Sequence, residues 1–180
     1  NGMLFEPVPD KPWRMLHRPM EGKDPMMVHW AEGTHLFGEW KSRGVLLPWI
    51  PDPAFKEVWT GGGAPPLLLA NGSYLVLYHI GNRDAKGKRE YDLGIALVDL
   101  DAEDPVVLRA EPLMRPETPQ ETIGDEDLGV NNVVFICGAY FWEGDLYFPY
   151  QGSDTRILGA RIVRGELDRF LNARPSLRIP

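Results

Sequence analysis

The chain has 180 residues, a length that fits one domain and can bury a core, and its 43% hydrophobic and 25% charged content is close to the globular norm. Its 19 basic against 26 acidic residues give a formal charge of -7 with no clustered Lys/Arg stripe, which argues against a nucleic-acid partner and for a sugar or other small ligand. No apolar run reaches the roughly 18 residues of a membrane span, and the single Cys137 allows neither an internal disulfide nor a Cys/His zinc site, so no membrane partner and no metal are expected and a reducing cytoplasm is predicted.

No basic-then-apolar leader follows the opening Asn1-Gly2. With 19 glycines and 17 prolines, many turns and short strands are expected. In chain order, strand-forming runs between turn signals fall at 13–17, 26–30, 67–70, 74–80, 95–100, 106–109, 133–137, 146–150 and 157–162. That pattern is all-β. Asn71-Gly72 is the strongest hairpin signal, because a type I′ turn needs positive φ at both central residues, and Glu143-Gly144-Asp145 plays a similar part later. Only 166–173 suggests a helix, through Leu167, Phe170 and Leu171 at helical spacing, with Pro175 to stop it.

A weak repeat organises these strands. Segments 11–18, 72–79 and 144–151 align without gaps, each a turn followed by an aromatic and apolar strand that ends in a polar side chain. Their starts are 61 and 72 residues apart, which suits propeller blades of about 40 to 50 residues carrying longer loops. About three blades would then fill residues 1–180 as a single, incomplete propeller domain, since a closed ring needs about four to eight. Arg18, His79 and Gln151 end the three segments, and equivalence would carry all three to one end of a common axis as a polar pocket. The plainer fate of each is a strand end facing solvent. His29 and His35 lack such support and read as structural.

Phe5, the triplet His17-Arg18-Pro19, the stretch Gly61 to Pro66, Tyr78-His79, Tyr91-Asp-Leu-Gly94, Pro116-Glu117, Asn132-Val-Val-Phe135 with Cys137-Gly138, and Gly152-Ser-Asp154 follow in an ordered set. In that order they resemble the second half of glycoside hydrolase family 130, the β-mannoside phosphorylases and mannosidases. The resemblance implies a five-bladed β-propeller with an axial sugar site, where an inverting reaction cleaves a mannoside with phosphate or water. It implies that Arg18 and His79 bind phosphate, that Asp154 contacts the sugar, and that Tyr91 lines the same pocket, with Gln151 beside them. It implies no cofactor beyond inorganic phosphate as a co-substrate, and an oligosaccharide as partner. Without it, Asp154 reads as an Asx turn and Tyr91 as core.

Two departures qualify that picture. The phosphorylases place a lysine before the Gly/Pro stretch, where this chain has Trp59 or Thr60. Loss of that cation makes water a plausible nucleophile, and Glu121, with Glu117 nearby, is the candidate base. The family's catalytic acid would lie before Asn1, so the polypeptide alone is expected to lose a contribution of about 10²- to 10⁴-fold in rate. The competing readings are a noncatalytic carbohydrate-binding or assembly module and a pocketless β-sandwich, the last of which scatters Arg18, His79 and Gln151. An incomplete ring exposes edges and apolar wall, which predicts self-association or pairing with missing upstream blades.

Overall fold

A computed structural model describes residues 2–20, 26–125, 127 and 130–173. The chain folds as three antiparallel sheets laid down in sequence order. Sheet I is the meander β1 (Gly2–Leu4), β2 (Trp13–His17), β3 (Val28–Gly33) and β4 (Trp40–Leu47). Sheet II contains β5 (Glu57–Gly62), β6 (Leu67–Leu68), β7 (Tyr74–Arg83), β8 (Arg89–Val98) and β9 (Val106–Met114). Sheet III contains β10 (Val134–Ile136), β11 (Tyr140–Trp142), β12 (Asp145–Gly152) and β13 (Arg156–Ile162). The one-turn helix α1 (Pro119–Thr122) links sheets II and III, and α2 (Arg164–Leu171) ends the described chain.

Sheets II and III share a pattern. Their first strand is broken in two, so β5 and β6 pair with the late and early parts of β7, and β10 and β11 with the late and early parts of β12. The three repeat segments become β2, β7 and β12, each the second strand of its sheet once the broken strands are counted as one.

Burial explains their compositions. β7 reads Tyr-Leu-Val-Leu-Tyr-His-Ile without alternation because sheet II is sandwiched and both of its faces are covered. One face, with Tyr74, Val76 and Tyr78, meets Phe5, Leu16 and Leu47 of the sheet I side; the other, with Leu75 and Leu77, meets Val134, Leu146 and Phe148 of sheet III. β12 alternates strictly, Leu146, Phe148 and Tyr150 being buried and Tyr147, Pro149 and Gln151 half-buried, because only one of its faces is packed. Leu167 of α2 joins that second core.

Several local expectations need correction. The turn at Asn71-Gly72 is a three-residue loop: Gly72 N–H donates to Leu69 O, Leu69 N–H donates to Ser73 O, and only Gly72 has positive φ (85°). Asn71 instead uses its side-chain oxygen to accept from Ser73 N–H at 3.2 Å, which favours an ordinary turn over type I′. The type I′ pair is Glu143 (φ 51°) and Gly144 (φ 87°), between Trp142 and Asp145. The terminal helix begins at Arg164, two residues early, because Asp145 accepts the Arg164 N–H and fixes the entry. Pro175 lies outside the described residues.

Candidate active site

A cavity of about 750 Å3 opens where β2, β7 and β12 converge, and Arg18, His79, Tyr91, Gln151 and Asp154 all line it. Arg18 immediately follows β2, His79 lies in β7 and Gln151 in β12, so the aligned strand positions occupy one space rather than scattering.

The floor is an Arg–His pair. Arg18 Nη1 donates to His79 Nε2 at 3.2 Å; a guanidinium has no acceptor, so the imidazole accepts at Nε2 and holds its proton on Nδ1. Burial and the adjacent Arg18 charge push His79 down to about 3, which keeps the ring neutral near pH 7. Burial also draws Arg18 below its ordinary value, against the pull of Tyr91. Arg18 Nε is buried and without a hydrogen-bond partner among the described residues. Gly61 makes the pair possible: a Cβ there would stand 2.3 Å from the His79 ring and 2.6 Å from Arg18 Nη1.

An aromatic wall stands beside this floor. Phe135 lies 4.6 Å from the His79 ring, centroid to centroid, and Tyr91 5.9 Å from it. Trp59 meets Tyr91 edge-on at 5.6 Å, and Arg83 lies 5.9 Å over its ring. Trp59 therefore braces Tyr91 from behind. Thr60 is committed elsewhere, its hydroxyl donating to Leu47 O at 2.6 Å and accepting from Val28 N–H at 3.2 Å. Neither residue brings a cation to the cavity.

Asp154 sits in the turn joining β12 to β13. Ser153 (φ 46°) and Asp154 (φ 52°) are both left-handed, and Ser153 N–H donates to Val133 O at 3.0 Å. Two non-glycine residues in that region carry a conformational cost that the surroundings must hold in place. The opposite wall, Val130 to Val133, is tied to the aromatic side by Tyr91 N–H donating to Asn132 O at 2.9 Å.

Glu121 is placed elsewhere. It is 2% exposed and does not line the cavity. Oε1 accepts from Tyr150 Oη at 2.6 Å, and Oε2 accepts from the Thr118 and Glu117 N–H groups at 2.8 and 3.0 Å. Burial pushes this carboxyl up, but those hydrogen bonds outweigh it and hold Glu121 below its ordinary value. Its backbone carbonyl accepts from Ser153 Oγ and Val133 N–H, so Glu121 fastens α1 to both cavity walls.

Sequence reasoning missed several lining residues. Phe135 and Asn132 belong to the Asn132–Phe135 motif, whose residue types alone assign them no role, and Lys88 and Arg89, in the hairpin of β7 and β8, give no signal because two cations in a polar turn look like solvated surface. No group of His, Cys, Asp or Glu among the described residues could hold a metal ion, and no helix among them is long and apolar enough to cross a membrane.

The model of the beta-1,4-mannooligosaccharide phosphorylase family, glycoside hydrolase family 130, matches residues 23–172. A 1,2-beta-oligomannan phosphorylase from Thermoanaerobacter sp. (strain X514) is 30% identical over 135 residues, covering 74% of this chain and 42% of the relative. The solved beta-1,2-mannobiose phosphorylase from Listeria innocua, in complex with beta-1,2-mannobiose, superposes with a TM-score of 0.74 at 26% identity, over 94% of this chain and 46% of the other. A structure from the family's glycoside hydrolases that target beta-1,2 mannosidic linkages in Candida mannan has a TM-score of 0.65 at 19% identity, over 91% and 48%, and speaks to fold alone. The chain thus spans less than half the length of these relatives.

Proposed function

The chain belongs to glycoside hydrolase family 130, and from that premise we propose that it carries the anion-binding and sugar-binding side of an inverting β-mannoside phosphorylase. In this reading the three sheets are consecutive blades of a five-bladed propeller, and the general acid lies in a part of the protein outside these 180 residues. The observation that carries it is the Arg18–His79 floor: a charged guanidinium beside a neutral imidazole, lining a cavity with an aromatic wall.

Phosphate would lie against Arg18, whose fork of N–H groups meets two oxygens, while His79 adds a neutral contact that costs the anion nothing in proton exchange. The sugar would rest on Tyr91 and Phe135, with Asp154 and Gln151 accepting from ring hydroxyls. Phosphate attack at the anomeric carbon forms the new C–O bond as the glycosidic C–O bond breaks, and the acid protonates the departing oxygen.

Phosphate is favoured over water because Arg18 brings a charged guanidinium to the floor, which holds an anion and does nothing for a neutral nucleophile, and because a phosphate dianion needs no base. A noncatalytic sugar-binding role is the second reading, supported by the aromatic wall of Tyr91 and Phe135, which serves binding without turnover equally well.

The test is release of mannose 1-phosphate from β-linked manno-oligosaccharides in phosphate buffer, by this chain and by the chain in its full-length context. Mannose 1-phosphate formed by the longer protein and lost in Arg18→Ala supports phosphorolysis. Free mannose at an undiminished rate without phosphate supports hydrolysis, and binding without turnover supports the module.

A further inference from the structure

The outer lip of the cavity carries charge that the proposed reaction does not use. Gly87, Lys88 and Arg89, at the tip of the hairpin between β7 and β8, line the opening. The tip is a built turn: Asp84 Oδ1 accepts from the Lys86 and Lys88 N–H groups at 2.8 and 2.9 Å, Asp84 O accepts from Gly87 N–H, and Gly87 has φ 85°. The strand end next to the turn is held as well, since Arg83, opposite Arg89, spends its charge on Glu57 at 3.0 Å. Lys88 and Arg89 have no ion-pair partner among the described residues. Among the described residues, three cations, Arg18, Lys88 and Arg89, thus line the cavity against one anion, Asp154, in a chain whose formal charge is -7.

Position separates these cations into two groups. Arg89 pairs with Arg83 across the hairpin, whereas His79, on the floor, pairs with Leu93. From His79 to Arg83 is four residues of extended strand, about 13 Å. An anion held by Arg18 beside His79 is therefore four strand residues from the lip, a gap bridged by a sugar unit and not by the anion itself. A neutral mannoside gives the lip cations nothing to pair with.

We propose that Lys88 and Arg89 form a second anion site that selects substrates bearing a phosphoryl group on the outer sugar. This rests on the carbohydrate reading of the cavity and adds the chemical class of the outer residue. The lip cations are exposed, so their contribution is modest and salt-sensitive. They act on which substrate binds.

The experiment is calorimetric titration of the full chain with three probes: neutral β-mannobiose, the same disaccharide carrying a 6-phosphate on its reducing sugar, and inorganic phosphate alone. The phosphorylated disaccharide is expected to bind about tenfold more tightly than the neutral one at low salt, with the ratio falling at high salt. The double variant K88Q/R89Q should bring the ratio to about one, and the charge-retaining K88R/R89K should keep most of it. Equal affinities in the unaltered chain overturn the lip site while leaving the carbohydrate reading intact, and so does a ratio that survives K88Q/R89Q or is lost in K88R/R89K. If the ratio is one and K88Q/R89Q weakens only inorganic phosphate, the lip is an entry port for the co-substrate and the selection is refuted. If neither disaccharide binds, the carbohydrate reading itself fails.

Discussion

Glu121, the candidate base, has its carboxylate committed to hydrogen bonds away from the cavity lining. An acidic residue in a Gln-Glu-Thr-Ile-Gly turn reads as a candidate base or as a solvated loop carboxylate, and the positions of Thr118, Tyr150 and Ser153 make it instead the closing residue of a capping box. Replacing it with Gln removes charge-assisted hydrogen bonds inside a buried network, so Glu121→Gln should cost about 1–3 kcal/mol of stability in urea denaturation; unchanged stability with lost turnover would restore it as the base. Two other buried groups set opposite pH trends. His79 is held at about 3 against 6.5 unfolded, so between those values the unfolded chain binds the extra proton and stability falls as pH falls. Asp92 behaves in the reverse sense. Burial and nearby Glu90 raise it to about 7 from 3.8, against Arg115 and the hydrogen bond from Asn82, so the folded chain holds the extra proton and stability is lost as pH rises through that window. Asp92→Asn should therefore gain on the order of 1–3 kcal/mol at pH 8, a gain that closes near pH 4. Urea midpoints across that range check it, and a variant no more stable than the parent at pH 8 would contradict the trend.

At the scale of elements, the site depends on strands that approach closer than a side chain allows. Gly61 lies opposite His79 in the β5–β7 pair, and the added methyl of Gly61→Ala would overlap both the imidazole and Arg18. The expected result is a loss of phosphate binding of at least tenfold with a stability cost of about 1–3 kcal/mol, read by calorimetry and urea titration; unaltered phosphate affinity would remove the Arg18–His79 pair from the binding site. The same geometry marks what the sequence could reveal. β2, β7 and β12 were legible because turn signals bound their apolar runs, whereas the cover on both faces of β7 comes only with sheets I and III in place. β4 and β5 escaped notice: Trp40–Leu47 alternates poorly around a bulge at Trp30/Ala31, and Glu57–Gly62 ends in glycines that look like loop but are strand packed against its neighbours. The aligned positions Arg18, His79 and Gln151 could be found by repeat alone, although β7 runs on past His79 to Arg83, whereas Lys88 and Arg89 could not, since nothing in their spacing says which way a hairpin leans.

The whole molecule is a stack with a direction. Sheet I presents Leu16 to the Tyr74 and Val76 face of sheet II, and sheet II presents Leu75 and Leu77 to the Leu146 and Phe148 face of sheet III. In the repeat alignment Leu16 corresponds to Leu77, and Val76 to Phe148, so the two interfaces use the same pair of faces in the same order. Such head-to-tail contacts leave an unlike face at each end. Half-buried Trp13, Met15 and His17 form one end, on β2. At the other, half-buried Tyr147 and Pro149 lie beside exposed Tyr140, whose ring stacks on Tyr147 at 5.7 Å and 15°. These faces suit further sheets of the same kind, supplied by a longer chain or by a second copy. The 180 residues on their own are therefore expected to associate at micromolar concentration and to bind an apolar dye, and placing a charge on the end face with Tyr147→Glu should shift sedimentation toward monomer. The packed side of β12 is untouched by that change, so the fold should survive it. A dye-silent monomer in the parent chain would mean that the two end faces are finished surfaces, and the directional stack would lose its meaning as part of a ring.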